Sequence, residues 1–306
     1  MISLAIPWLF LLLLLTGIIL LYRKKWLACL CVTIVILLLN FSWECIPLRL
    51  WPTDINRRAS ISVMCFNIKG TSPEFRLKAE KVAGLIASYS PDILFVSEIK
   101  GKNKLLLDSM LLDVLPYTCY ARNSTTFFYS KYKLDGWKKL ETDEAGSSGT
   151  CKSSAIIEND TIFLYGCHFA SNNYSPKRKY ITPDSIHDRN DIFMYISNVE
   201  RTGLIRRRQA DVVATDMTDI RNPIIMMGDL NDVGGSAAVR TLEEVGLKDA
   251  WWIGGFGYGA TIHYPLPYRI DHIMFSDGLK LLKIEVVDSE GLSDHDALYA
   301  EFEFNN

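Results

Sequence analysis

The sequence predicts an α/β domain built from two packed sheets with helices outside them, preceded by an apolar helical hairpin. Three observations carry this. Residues 4–22 and 26–43 are uncharged hydrophobic runs separated only by Arg23, Lys24 and Lys25. From residue 60 onward, short β-rich runs alternate with stretches of helical period. At 306 residues, with 49% hydrophobic and 22% charged, the chain has the means to bury one large α/β core and carry an appendage.

The first run is nineteen residues long, close to the hydrocarbon thickness of a bilayer at about 1.5 Å per residue. The second has Trp26 and Trp43 at its ends, where an aromatic belt would lie. Residues 1–43 are therefore expected to form a membrane anchor of two transmembrane helices. A signal peptide needs a basic segment before a shorter apolar stretch, and no Lys or Arg precedes Leu4. A transport hairpin needs ionisable residues in its spans, and neither run has one. The Arg-Lys-Lys loop should stay cytoplasmic. That predicts an integral membrane protein with an extracytoplasmic domain.

Residues 44–59, with Pro47 and Pro52, read as a linker, and residues 60–306 as the folded domain. The first 58 residues hold six Lys/Arg and two Asp/Glu, which leaves 27 basic and 33 acidic residues, a charge of −6. That excludes a constitutively basic nucleic-acid coat. Strands are expected at ISVMCFNI, DILFVSE, TTFFYS, SSAIIEN, TIFLYGCHF, PIIMMGDL, RIDHIMF, LKIEVV and ALYAEFEF. Helices are expected around residues 77–89, 190–217 and 236–245. Of seven cysteines, only Cys119 and Cys151 lie in surroundings where a disulfide is conceivable, and no spacing resembles a zinc site.

The polar residues gather where the strands stop. FNIKG ends in Asn67, VSEIK in Glu98, YGCHF in His168, MGDLND in Asp229 and Asn231, RIDHI in Asp271, and LSDH in Asp294 and His295. Ligand sites of α/β sheets collect at strand ends. Taken singly, each of these residues is as readily a helix cap or turn residue; their joint occurrence is the signal.

That order, with the GDLN and SDH elements, resembles the endonuclease/exonuclease/phosphatase superfamily of deoxyribonuclease-I-like phosphoesterases across residues 60–306. The resemblance implies a four-layered α/β/β/α sandwich and a metal-dependent hydrolase of phosphate esters. It implies Glu98 as the principal Mg²⁺ ligand, with Mn²⁺ as a substitute, Asn67 beside it, and Asp294 with His295 as the terminal Asp-His pair. Asp229 resembles the residue that activates water, Asn231 the amide that holds a phosphate oxygen, Asp271 the partner of His295, and His168 a second histidine near the scissile phosphate. The chemistry asks for such a set. A cation must offset charge developing on a phosphodiester and a base must sharpen the water, and Mg²⁺ takes one or two carboxylates and retained waters.

Two departures are visible. Lys69 stands where abasic-site endonucleases carry an acidic residue, and His168 where they use a tyrosine. No carboxylate partner for His168 is evident in ARNSTTFFYS. Between Ser171 and Gln209 eight basic residues face four acidic ones, a surplus that suits either a polyanion-attracting lip or a solvated helix face. Arg178 and Arg206 from this stretch, with His272, are the candidate substrate contacts. His263 could join them, although the plain reading of both His272 and His263 is a half-buried, packed histidine, and His187 reads as a solvent-exposed loop residue. WWIGGFGYGATIHYP is a second candidate substrate loop, its aromatics stacking on bases, lying against a membrane or merely folding under the sheet. The expected partner is a phosphoester, nucleic acid or a phospholipid head group, with membrane contact through residues 4–43. A catalytically silent, tethered binding module is the reading from another class.

Overall fold

A computed structural model of the chain describes residues 2–43, 47, 60–119, 124–140, 149–157, 160–172, 189–263 and 266–305. Among the described residues, twelve strands form two six-stranded mixed sheets. The first holds β1 (Ile61–Gly70), β2 (Ile93–Ile99), β3 (Tyr117–Cys119), β4 (Phe127–Ser130), β11 (Leu279–Val287) and β12 (Ala297–Phe304), in the order β11-β12-β1-β2-β4-β3. The second holds β5 (Leu134–Lys139), β6 (Cys151–Ile157), β7 (Asp160–His168), β8 (Ile224–Asp229), β9 (Lys248–Asp249) and β10 (Asp271–Phe275), in the order β5-β6-β7-β8-β10-β9.

Each sheet is centred on one parallel pair, β1 with β2 and β7 with β8. A parallel pair needs a crossover, which α3 (Ala79–Tyr89) supplies in the first sheet and α5 (Arg189–Met217) in the second. Helix α3 buries Ala79, Val82, Ala83 and Ile86, the i, i+3, i+4, i+7 stripe of a helix lying on a sheet. It stops at Ser90, whose backbone is left-handed, just before Pro91.

Alternation along the strands decides the layers. Val63, Cys65, Phe95, Leu164, Ile225 and Ile273 point between the sheets into a common core. Met64, Phe66, Leu94 and Val96 point the other way, against α3 and α4 (Gly101–Leu111). Tyr165, Met226 and Met274 pack against α5 and α6 (Ala237–Glu244). The order is therefore helix, sheet, sheet, helix. The expected strands are all present; β3, β5, β9 and α4 were not anticipated, since three are short or largely exposed and α4 has little apolar periodicity in GKNKLLLDSML.

The apolar runs do form helices, α1 (Ile2–Tyr22) and α2 (Trp26–Trp43), packed on each other. The integral-membrane reading is nevertheless corrected: among the described residues no helix is long and apolar enough to cross a membrane. Part of the hairpin is engaged with the protein itself. Ile6 and Asn40 are buried, and Trp8 donates its indole N–H to the Tyr268 hydroxyl at 2.9 Å with the rings edge-on. Beyond Trp8, residues 9–22 extend about 21 Å at 1.5 Å per residue, against a hydrocarbon layer of about 30 Å. Neither helix carries a charged residue, and several side chains stay exposed, Leu12 at 60%. The extracytoplasmic placement, derived from the Arg23-Lys24-Lys25 loop, falls with the spans. Most of the expected linker lies outside the described residues. Cys119 and Cys151 are free thiols, and Cys151 is buried within β6 rather than in a loop.

Candidate active site

The carboxyl ends of the two central parallel pairs meet at one edge of the sandwich. In the second sheet the register sets three side chains in a row: His168 lies opposite Asp229, and Asp229 opposite Asp271. Neighbouring strands are about 4.8 Å apart. All three residues follow the parity of Leu164, Ile225 and Ile273, so they project into the layer between the sheets. In the first sheet Asn67 keeps the parity of Val63 and Cys65 and enters the same space.

Glu98 reaches it by a different route. Strict alternation would send Glu98 toward α3 with Leu94 and Val96. Its backbone is left-handed, with φ of 59°, and the parity switches there: Ile99 joins the helix-side core and the Glu98 carboxylate turns inward. Lys69 (φ 47°) and Asn231 (φ 51°) are left-handed too. Three non-glycine residues in this sparsely populated region, all beside the same cluster, mark it as a place where strain is held by the surrounding fold.

Asn67 ties the sheets together. Its Nδ2 donates to Glu98 Oε1 at 3.2 Å and to Asp229 Oδ2 at 3.1 Å, and its Oδ1 accepts from the Lys69 N–H at 3.3 Å. The amide nitrogen therefore faces the carboxylates. In this arrangement Asn67 bridges Glu98 and Asp229. His168 Nε2 lies 3.5 Å from Glu98 Oε1 and 3.8 Å from Asp229 Oδ2. Its buried Nδ1 has no hydrogen-bond partner among the described residues.

His295 Nδ1 is 2.8 Å from Asp271 Oδ2, and its Nε2 is 3.8 Å from Asp229 Oδ2. Burial works against a charged ring, but Asp271 and then Asp229 outweigh it and push the imidazole pKa up to about 10. Asp229 is raised as well, which for an acid favours the neutral form: burial first, then the charge of Asp271, push it up, with His295 and His168 pulling it back. Asn231 donates its backbone N–H to Asp229 Oδ1 at 2.8 Å and its side-chain amide to the Phe169 carbonyl at 3.1 Å.

Asp294 sits at the rim. Lys69 Nζ donates to its Oδ2 at 2.6 Å. Burial would raise Asp294, but the Lys69 hydrogen bond, His295 and the Lys69 charge hold it low. The lysine that breaks the abasic-endonuclease pattern is thus the partner of the terminal aspartate. Ser293, not singled out from sequence, donates to the Asn67 carbonyl at 2.7 Å and accepts from the His295 N–H. The serine of the SDH element was the available signal, since hydroxyls bond backbone locally in turns.

The expected substrate contacts fare differently. Arg178 and His187 lie outside the described residues. Arg206 is 1% exposed; its guanidinium donates to Asp232 and to the Ala170 carbonyl, so it braces α5 against the site instead of meeting a substrate. His272 is fully buried and likewise is not presented to one. Arg207 and Arg208 are the exposed cations of that helix segment. His263 Nε2 lies 2.8 Å from Asp296 Oδ2 with much of its ring in solvent.

Asp229, Asp271 and His295 offer ligand atoms within 4.8 Å of one another. Within that trio His295 Nδ1 is paired with Asp271, which leaves its Nε2 facing Asp229. Glu98 is one-third exposed on its side chain and, among the described residues, meets Asn67 and His168. Hard oxygens concentrated on Glu98, Asp229 and Asp271 fit a divalent cation of the Mg²⁺ or Mn²⁺ type, and Glu98 is the accessible carboxylate among them.

A two-sheet α/β sandwich with carboxylates, histidines and an amide at one edge defines a hydrolase of phosphate esters. The chain belongs to the Endonuclease/Exonuclease/phosphatase family, whose model matches residues 64–295. Members of this family are metal-dependent phosphoester hydrolases, and this protein is an enzyme of that class. Solved structures agree on the fold. TDP2 of D. rerio complexed with single strand DNA product superposes with a TM-score of 0.61 at 15% identity, covering 79% of this chain and 98% of that one. Truncated Caenorhabditis elegans TDP2 gives 0.59 at 20%, covering 80% and 97%. An endonuclease/exonuclease/phosphatase from Beutenbergia cavernae DSM 12333 gives 0.59 at 15%, covering 81% and 72%. No curated protein matches.

Proposed function

We propose that the protein is a metal-dependent phosphodiesterase acting on nucleic acid, with residues 60–306 as its catalytic unit. The supporting observation is the convergence of Glu98, His168, Asp229, Asp271 and His295 from both sheets around Asn67. The bound cation supplies Lewis-acid neutralisation of the phosphate charge. Glu98 would hold it, with Asp294 as a further carboxylate on exchanging its Lys69 partner. Asp229, buried and raised, is the base that takes the proton of the attacking water. His295, kept charged by Asp271, and His168 donate to phosphate oxygens as a preorganised site, each well-placed donor contributing roughly 3 to 4 kcal/mol. Asn231 Nδ2 exchanges the Phe169 carbonyl for a phosphate oxygen.

Three observations favour nucleic acid. Arg207 and Arg208 are exposed on α5 and favour a polyanion. Phe256, in the glycine-rich loop, is 72% exposed and offers a stacking face. A structural neighbour was solved with single strand DNA product. The test is to incubate the purified full chain and Mg²⁺ or Mn²⁺ with a labelled single-stranded oligonucleotide, plasmid DNA and phosphoinositide vesicles, beside Asp229→Ala. Cleavage of the oligonucleotide by the wild type alone is expected. Turnover confined to the lipid would overturn the substrate assignment, and no turnover of any of them by folded protein would overturn the whole reading.

A further inference from the structure

The turn that follows β8 carries Asn231 in a left-handed backbone and leads directly into Asp232. On its far side lies a charged network that the chemistry above does not use. His272 Nε2 is 2.9 Å from the Asp232 carbonyl. A carbonyl only accepts, so Nε2 carries the hydrogen. His272 Nδ1 is 2.9 Å from Asp249 Oδ2 and 3.0 Å from Arg269 Nη1, while Arg269 donates to the same Asp249 oxygen at 2.8 Å. All three side chains are almost wholly buried.

Asp249 extends the network further. Its Oδ1 caps α7 (Ala250–Gly254) by accepting from the Trp251 and Trp252 N–H groups. Trp251 in turn donates to the Gly257 carbonyl, at the start of the loop whose Ile262 bridges to His295. Burial opposes the Asp249 charge, but Arg269 and then His272 hold its carboxyl well below the usual range, so the hub is an ionised anchor. One buried cluster therefore fixes both the turn bearing Asn231 and the loop leaning on His295.

We propose that His272 is a positioning residue for phosphoester hydrolysis: by donating to the Asp232 carbonyl it sets the turn that aims Asn231 and braces Asp229 against His295. It touches no substrate. The inference rests on the hydrolase reading and extends it.

The test compares His272→Phe, which keeps the volume and loses the donor, with His272→Gln, which restores an N–H at a similar reach. Each is assayed with Mg²⁺ on a labelled single-stranded oligonucleotide and on bis(p-nitrophenyl) phosphate, with thermal melts alongside. For His272→Phe, kcat is expected to fall roughly ten- to a hundredfold with KM within about twofold, and His272→Gln is expected to recover most of it. A merely packed residue would give neither the kcat-specific loss nor the rescue. Wild-type kcat in His272→Phe, or equal losses in both variants, overturns the inference. Should His272→Phe fail to fold, His272→Met against His272→Gln makes the same comparison. Folded wild type inactive on both substrates removes the hydrolase reading and the inference with it, whereas active wild type beside an equally active His272→Phe removes the inference alone.

Discussion

Asp271 and His295, 24 residues apart in the chain, stand with Oδ2 and Nδ1 at 2.8 Å in a buried pocket that also faces Asp229. The pairing holds the imidazole charged well past neutrality, to about pH 10.

This makes the stability of the metal-free protein depend on alkaline pH. A histidine whose folded pKa is raised contributes stability that is complete below its unfolded value of about 6.5. The contribution is lost as pH rises toward the folded value near 10. Urea denaturation of chelator-treated protein should give a midpoint that declines between about pH 7 and 10, and Asp271→Asn should flatten that decline. An unchanged midpoint across the range in the wild type would contradict the charged pair.

Asp229 is buried at a cost, since burial and Asp271 both disfavour its charge. Removing the charge while keeping the shape should separate stability from activity. Asp229→Asn is expected to melt at or above the wild-type temperature at pH 7, and to lose roughly 10²- to 10⁴-fold in kcat, the range of one general base. Retained activity would move the base elsewhere.

Glu98 is the accessible hard oxygen of the cluster. Glu98→Gln should weaken Mn²⁺ binding, read by calorimetry or by the electron paramagnetic signal of free Mn²⁺, by at least about tenfold, or ~1.4 kcal/mol. Unchanged affinity would relocate the metal to the Asp229, Asp271 and His295 group.

Gly166, two residues before His168, allows the sheets to close. A Cβ there would fall 2.1 Å from Phe95 Cε2 and 2.9 Å from Phe128 Cζ, the tilted pair at the centre of the inter-sheet core. Gly166→Ala should cost about 1 to 3 kcal/mol in denaturant unfolding through overpacking. Pairing it with Phe95→Leu should return part of that loss, and a neutral single substitution would show that the sheets have slack.

Much of this protein is legible in one dimension. Period-2 runs place the main strands, and the polar residue at the end of each run names most of the candidate site, because backbone alternation is a local property. Where the local rule breaks, the sequence is silent. Glu98 counts as a helix-side residue by alternation and becomes a site residue only through a left-handed backbone imposed by its surroundings. The apolar runs at the start announce their helices but not the docking of Trp8 on Tyr268.

The sequence by itself determined the strand and helix inventory, the order of the site residues and the family they resemble. Tertiary structure decided what each does. It set Asn67 between two carboxylates, paired Asp294 with Lys69, and buried Arg206 and His272. The physical reason is that a residue's type limits what it can donate or accept, while burial and the partners brought to it from distant parts of the chain settle which of those capacities is used.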